Sequence, residues 1–205
     1  MPRAGLSTAV VVAGAAEAAD EVGLEKLTLA MVAKRFGVAL PSLYKHVSGL
    51  DALLQKVSAL VTAELAEELT TAAAGRAGAD ALRAMASAQR AYAKRHPGRY
   101  PAAQRVPDPA DPAHVAAGEK AVGVSYAVLR GYGLDGDDLI DATRAVRSAV
   151  HGFVTLEIAG GFGLPQDVDR SFDRLIEMVD LGLRAAAAPG PPGNRVAAPA
   201  TQLRS

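Results

Sequence analysis

Ser42, Tyr44, Lys45 and His46 bring a hydroxyl, a phenol, an ammonium and an imidazole together around one aliphatic residue, Leu43. On a helix these polar groups lie within about a turn and a half, while Leu43 and Val47 share the opposite, inner face. Such groups donate hydrogen bonds to phosphate oxygens and to base edges in a major groove. Lys34 and Arg35 stand shortly before them, whereas Glu17, Asp20, Glu21 and Glu25 come earlier. A local basic patch can therefore exist although the chain, with 22 Lys+Arg and 22 Asp+Glu, is formally neutral. Neutrality excludes nucleic-acid binding by bulk charge alone. The same residue types also populate solvated helix faces, so the pattern leaves both readings open.

Other chemistries find little support. Without Cys there is no disulfide, thiolate zinc site or Cys nucleophile. The His residues at 46, 96, 114 and 151 form no HExxH and no Glu-x-x-His pair. Gly160-Gly161-Phe162-Gly163 follows no strand and precedes no GK[ST], so it reads as an interhelical turn rather than a phosphate loop. Asp135 to Asp141 lacks the spacing of a calcium loop and reads as the start of a helix. We expect no enzyme, no metal and no cofactor. A Cys-free composition suits a reducing cytoplasm, and a cytoplasmic location is expected. The early apolar run Ala9–Ala13 is far short of the roughly 20 residues of a membrane span. The opening Met-Pro-Arg lacks the features of a secretory leader.

The elements that must hold these residues are helical, because apolar residues recur near every 3.6 positions and β-branched alternation is scarce. Ser7 caps a helix over Thr8 to Val22, ended by Gly23. Thr28 caps a short helix to Phe36, stopped by Gly37. A third helix runs from Leu40, with Pro41 in its first turn, to about Val47. A turn this short forces a steep crossing, as in a helix-turn-helix. Longer helices follow over Leu50 to Ala73 and Asp80 to His96. Gly98 to Pro112, with four prolines, reads mostly as loop with at most one short turn. Asp111-Pro112 opens a helix to Gly131 or Gly133, and Asp137 caps another to Ala159. Asp167 or Asp169 opens the last, whose apolar face is Phe172, Leu175, Ile176, Val179 and Leu183. The predicted fold is all-α, with a helix-turn-helix unit over 1–49, a helical body over 50–187 and a disordered Pro- and Gly-rich tail over 188–205.

The segments LTLAMVAKRFGV and PSLYKHVSGLDALL resemble the DNA-binding domain of TetR-type transcriptional regulators, with a match from about Leu6 to Leu54. The family's mark is a Leu-Tyr-x-His run on the recognition helix after Pro or a small residue. Here it stands as Leu43-Tyr44-Lys45-His46 after Pro41-Ser42. The family often begins its next helix with a phosphate-binding Lys. Leu50 occupies that place, which removes one contact, although Gly49-Leu50 is itself similar to a subgroup. The resemblance implies phosphate contacts by Tyr44, His46 and Thr28. It implies base-edge contacts by Ser42 and Lys45, with Ala39 and Leu40 at the helix start. Arg3 would reach a minor groove from a flexible arm.

Farther on, RSAVHGFVTLE over 147–157 resembles a C-terminal subtype marked by Trp-His-Gly, with Val150 replacing the Trp. Gly152 inside an apolar helix would let another helix approach. The scarce aromatics Tyr92, Tyr126, Phe153 and Phe162 either fill core or line a cavity. His151 is either a satisfied core residue or a ligand contact. Tyr92, Tyr126, His151 and Phe153 are the candidates for an effector pocket. The resemblance implies a homodimer through the last two helices, about 137–159 and 169–187. It also implies a palindromic double-stranded operator and a small molecule that releases a repressor from it. A helical protein-binding adaptor without DNA contact is the alternative, resting on Leu50 and the neutral charge.

Overall fold

Short polar caps start four of the helices in the computed structural model, which describes residues 6–188. Arg3 and the tail beyond Ala188 lie outside those residues. All regular elements among the described residues are helical. Ser7 accepts the Val10 N–H and opens α1, Thr8–Val22. Thr28 accepts the Met31 N–H and opens α2, Leu29–Phe36. Gly37 ends α2 in the left-handed conformation, φ 62°, which a residue with a Cβ adopts only at a cost. The Val38 N–H returns to the Ala33 carbonyl at 3.0 Å, so the chain reverses within two residues.

The recognition helix differs from the sequence expectation. Regular α-helix, α3, covers only Leu40–Leu43. The coil then tightens through His46, whose N–H bonds the Leu43 carbonyl at 2.8 Å. Leu43 and Val47 are nonetheless buried, in the same core cluster as Val32 and Ala33 of α2 and Val11 and Ala15 of α1. Anchoring at both ends of the coil matters more to its placement than regular hydrogen bonding along it.

α4, Leu50–Ala73, is the axis of the molecule. Its early residues Leu53 and Val57 join the core of the N-terminal unit, and Val61, Leu65 and Leu69 continue the same apolar cluster into the body. α5, Gly78–Arg95, and α6, Pro112–Arg130, pack along it. α7, Gly136–Ile158, and α8, Val168–Ala187, cover α5. The Pro-rich stretch carries one short turn, the 3-10 element Tyr100–Gln104, with Tyr100 and Ala102 buried and the element packed on α4. At α7 the N-cap position is Asp135 rather than Asp137, and its side chain makes no capping bond. Asp167 caps α8.

A polar lock joins the N-terminal unit to the body. The Asp20 carboxylate accepts the Arg99 backbone N–H at 2.8 Å and the Arg99 Nε–H at 2.7 Å, and lies 3.1 Å from His96 Nδ1. The connecting residue is Gly98, where a Cβ would stand 1.9 Å from the Ala19 carbonyl oxygen. The close approach expected at Gly152 does not occur within the chain, since a Cβ there meets nothing within 4 Å. Gly98→Ala should lower unfolding stability by about 1–3 kcal/mol, as overpacking against backbone does. Gly163→Ala, whose Cβ would also meet nothing within 4 Å, should leave it nearly unchanged. Urea unfolding of the two variants checks the difference.

Candidate functional site

The α2–α3 unit presents its polar residues on one outer surface. Tyr44 is 55% exposed, Lys45 and Ala39 are exposed, Leu40 is 37% exposed, and Ser42 and His46 are half-buried. The side chains of Tyr44 and Lys45 make no hydrogen bond or ion pair among the described residues. Thr28 is exposed, and its Oγ1 accepts the Met31 N–H at 3.2 Å. Capping uses an oxygen lone pair, so the Thr28 O–H is still free to donate to an anion. Arg35 contributes less than its position suggests. Its guanidinium bonds Glu21 at 2.6 Å and Glu17 at 2.7 Å, tying α2 to α1. Lys34 and Lys45 are the cations of this surface without such a partner. The apolar floor below it and the polar groups above it can together press a short coil against a negatively charged backbone.

A second feature lies in the body. A cavity of about 710 Å³ opens between α4, α5, α6 and α7 and the chain around Gln104–Pro107. Aliphatic side chains make most of its wall, and Gln89, Arg105, Arg144 and Arg147 supply polar groups. Of the four expected pocket residues, Tyr126 lines it. Tyr92 does not: it is buried elsewhere and donates to Glu64 at 2.6 Å, and burial together with that carboxylate raises its pKa. Phe153 stacks with Phe162 and Phe172 at 4.8 and 5.2 Å between ring centres. Arg90 lies over the Phe153 and Phe172 rings and holds Glu157 by two bonds of 2.6 and 2.7 Å, which lowers the Glu157 pKa. His151 stands behind the wall. Gln89 donates to the Tyr100 hydroxyl at 2.8 Å, leaving that O–H to donate to His151 Nδ1 at 3.0 Å.

Sequence reasoning sought the cavity among aromatics and missed Leu65, Leu69, Met85 and Val122. The usable signal was Gly118 and Gly123 inside α6, small residues that weaken a helix and leave room beside it. Val150 also lines this space. Among the described residues no cluster of three His, Asp or Glu could hold a metal ion. No described helix is long and apolar enough to cross a membrane.

The chain is similar to known proteins along most of its length. Residues 82–179 match the family model for a tetracyclin repressor-like C-terminal domain. An uncharacterised HTH-type transcriptional regulator of Mycobacterium tuberculosis is 40% identical over 183 residues, which is 89% of this chain and 81% of the relative. One from Bacillus subtilis is 30% identical over 182 residues, 89% of this chain and 95% of the relative. The structure of apo ActR from Streptomyces coelicolor superposes with a TM-score of 0.69 at 24% identity, over 90% of this chain and 97% of that one.

One buried polar group bears on stability. His114 is fully buried on α6. Ser58 Oγ donates to the Ala102 carbonyl at 2.7 Å, so it accepts from His114 Nε2 at 3.0 Å. That bonding assigns the neutral Nε2–H tautomer to His114. Burial pushes the His114 pKa below the ordinary histidine value, and burial also lowers that of His151. The unfolded chain therefore binds more protons than the folded one as pH falls through about 6.5. These groups contribute their full stabilisation above that pH and lose it below. The thermal midpoint should fall between pH 7.5 and pH 5.5. His114→Gln should make that fall shallower, and His114→Gln with His151→Gln shallower still. Equal slopes in all three proteins would contradict the assignment.

Proposed function

Because the chain belongs to the TetR family of helix-turn-helix transcriptional regulators, we propose that it is a homodimeric repressor of a palindromic operator, released when a small molecule fills the cavity. Transcription regulation in response to a ligand is the activity of this family. The observation that carries the finer reading is the exposed, unpaired pair Tyr44 and Lys45 above the buried Leu43 and Val47. In this reading Tyr44, His46 and Thr28 hold phosphates. Ser42 and Lys45 meet base edges, with Ala39 and Leu40 close against the groove. The chain works as a regulator without a catalytic step or cofactor, and it works where the chromosome is, in the cytoplasm.

Dimerisation through α7 and α8 is supported by what those helices leave uncovered. Met178 and Leu181 are 63% and 66% exposed on the side of α8 opposite its buried Phe172 and Ile176, and Leu156 of α7 is 52% exposed. Exposed apolar residues grouped in this way mark an interface. Two-fold pairing places two recognition helices about 34–36 Å apart, one helical turn of duplex. A ligand that favours a different spread weakens DNA binding by the factor by which DNA weakens ligand binding. α4 is the natural lever, since it starts directly after the recognition coil and walls the cavity with Thr62, Leu65 and Leu69. ActR, the Streptomyces coelicolor protein of the same fold, has been crystallised in complex with (S)-DNPA.

Selection from a random duplex library should yield a two-fold symmetric sequence. Tyr44→Ala should weaken binding to every duplex alike by about 10- to 100-fold, as loss of a hydrogen bond to a charged group does. Lys45→Ala should instead relax preference at one position per half-site, with roughly 1–3 kcal/mol of discrimination lost. Electrophoretic mobility shifts across a salt series read both, and unchanged binding in both variants would reject these roles. Met178→Glu with Leu181→Glu should convert a dimer to monomer in sedimentation velocity. A dimer that persists would move the interface elsewhere.

A further inference from the structure

The cavity's polar groups are unevenly charged. Three arginines, Arg105, Arg144 and Arg147, line it against one carboxylate, Glu119. Among the described residues, Arg147 has only the neutral Gln104 amide oxygen as a side-chain partner, at 2.9 Å. Arg105 is bound at one end alone: its Nη2 reaches Asp51 at 2.6 Å, while its Nε is shielded from solvent and has no partner. The buried Thr62 hydroxyl in the same lining also lacks a partner. The same lining contains Leu65, Leu69, Met85, Val122, Ile140 and Val150. A guanidinium with a free, desolvated edge matches a planar anion that can take two hydrogen bonds at once. A wall of aliphatic carbon matches an apolar body, and about 710 Å³ is room for one.

The geometry points to an organic carboxylate with an apolar body as the ligand, its head held by Arg105 and Arg147 and bound at the expense of the Arg105–Asp51 pair. This rests on the reading of the cavity as the effector site. Asp51 is the place where such competition would be felt. It lies in the first turn of α4, next to Leu50 and five residues after His46. Its side chain is 82% exposed, so its pair with Arg105 is weak and open to exchange. A ligand carboxylate that takes the Nε edge of Arg105 draws the guanidinium toward the cavity and releases the start of α4. Occupancy of the body then reaches the recognition coil through one side chain as well as through packing.

The test is calorimetric titration of the full chain, without DNA, with decanoate and 2-naphthoate, each beside its neutral amide. The acids should bind at least about tenfold more tightly than the amides. Arg105→Gln and Arg147→Gln should each remove most of that preference, and Arg105→Lys should restore part of it. Asp51→Asn should tighten acid binding by about two- to fivefold, the worth of an exposed ion pair, and leave amide binding unchanged. A merely structural Asp51 would weaken binding or leave it alone, and either result overturns the competition. Equal binding of acids and amides, or binding of neither, overturns the ligand class. Because the readout needs no duplex, its failure leaves the operator-binding reading standing, and absence of sequence-specific duplex binding leaves this one to be judged separately.

Discussion

α4 has to satisfy two cores at once. Leu53 and Val57 complete the packing under the recognition coil, and Leu65 and Leu69 help wall the cavity. At 24 residues the helix is about 36 Å long. Interiors are close-packed, so neither end can shift without its neighbours moving too. A change in the body that tilts α4 by a small angle therefore moves Leu43 and Val47, and with them the polar face they support. In the proposed function, ligand and DNA would be connected through the sharing of this one helix.

The ion pairs explain how a neutral chain keeps a binding face. Arg35 is held by Glu17 and Glu21, and Arg99 by Asp20. These acidic residues are thereby used inside the N-terminal unit and at its junction with the body, rather than facing a duplex. Lys34 and Lys45 remain on the outer surface. Charge is partitioned by position, so the net value of zero says little about the local field. Exposed pairs such as Arg35–Glu17 contribute modestly to stability. Their larger effect here is to fix which cations stay available.

The aromatics work differently from what their scarcity suggests. Tyr92, Tyr100, Phe153 and Phe172 are drawn into packing and hydrogen bonds around α5 and α7. The cavity forms instead where α6 presents small residues, between aliphatic walls. Gln89 joins the two regions, since it lines the cavity and also bonds Tyr100, which in turn bonds His151. His151 therefore supports the wall from behind.

Local chemistry was legible from the residues alone wherever short-range rules decide. Ser7 and Thr28 mark helix starts, and Gly37 the reversal. The 3.6 spacing of Phe172, Ile176, Val179 and Leu183 orients α8. The outward face of Ser42 to His46 followed from the same rule, because Leu43 and Val47 had to be inside. The early end of α3 was not legible, since anchoring by α1 and α2 substitutes for regular helix there. Nor was the occupation of Arg35, whose partners lie 14 and 18 residues away. The cavity was least visible of all. Empty space depends on how four helices and a turn cross, and residues such as Thr62, Arg105 and Val150 meet only after that packing is settled, because periodicity orients a side chain about its own helix axis but does not place one axis relative to another.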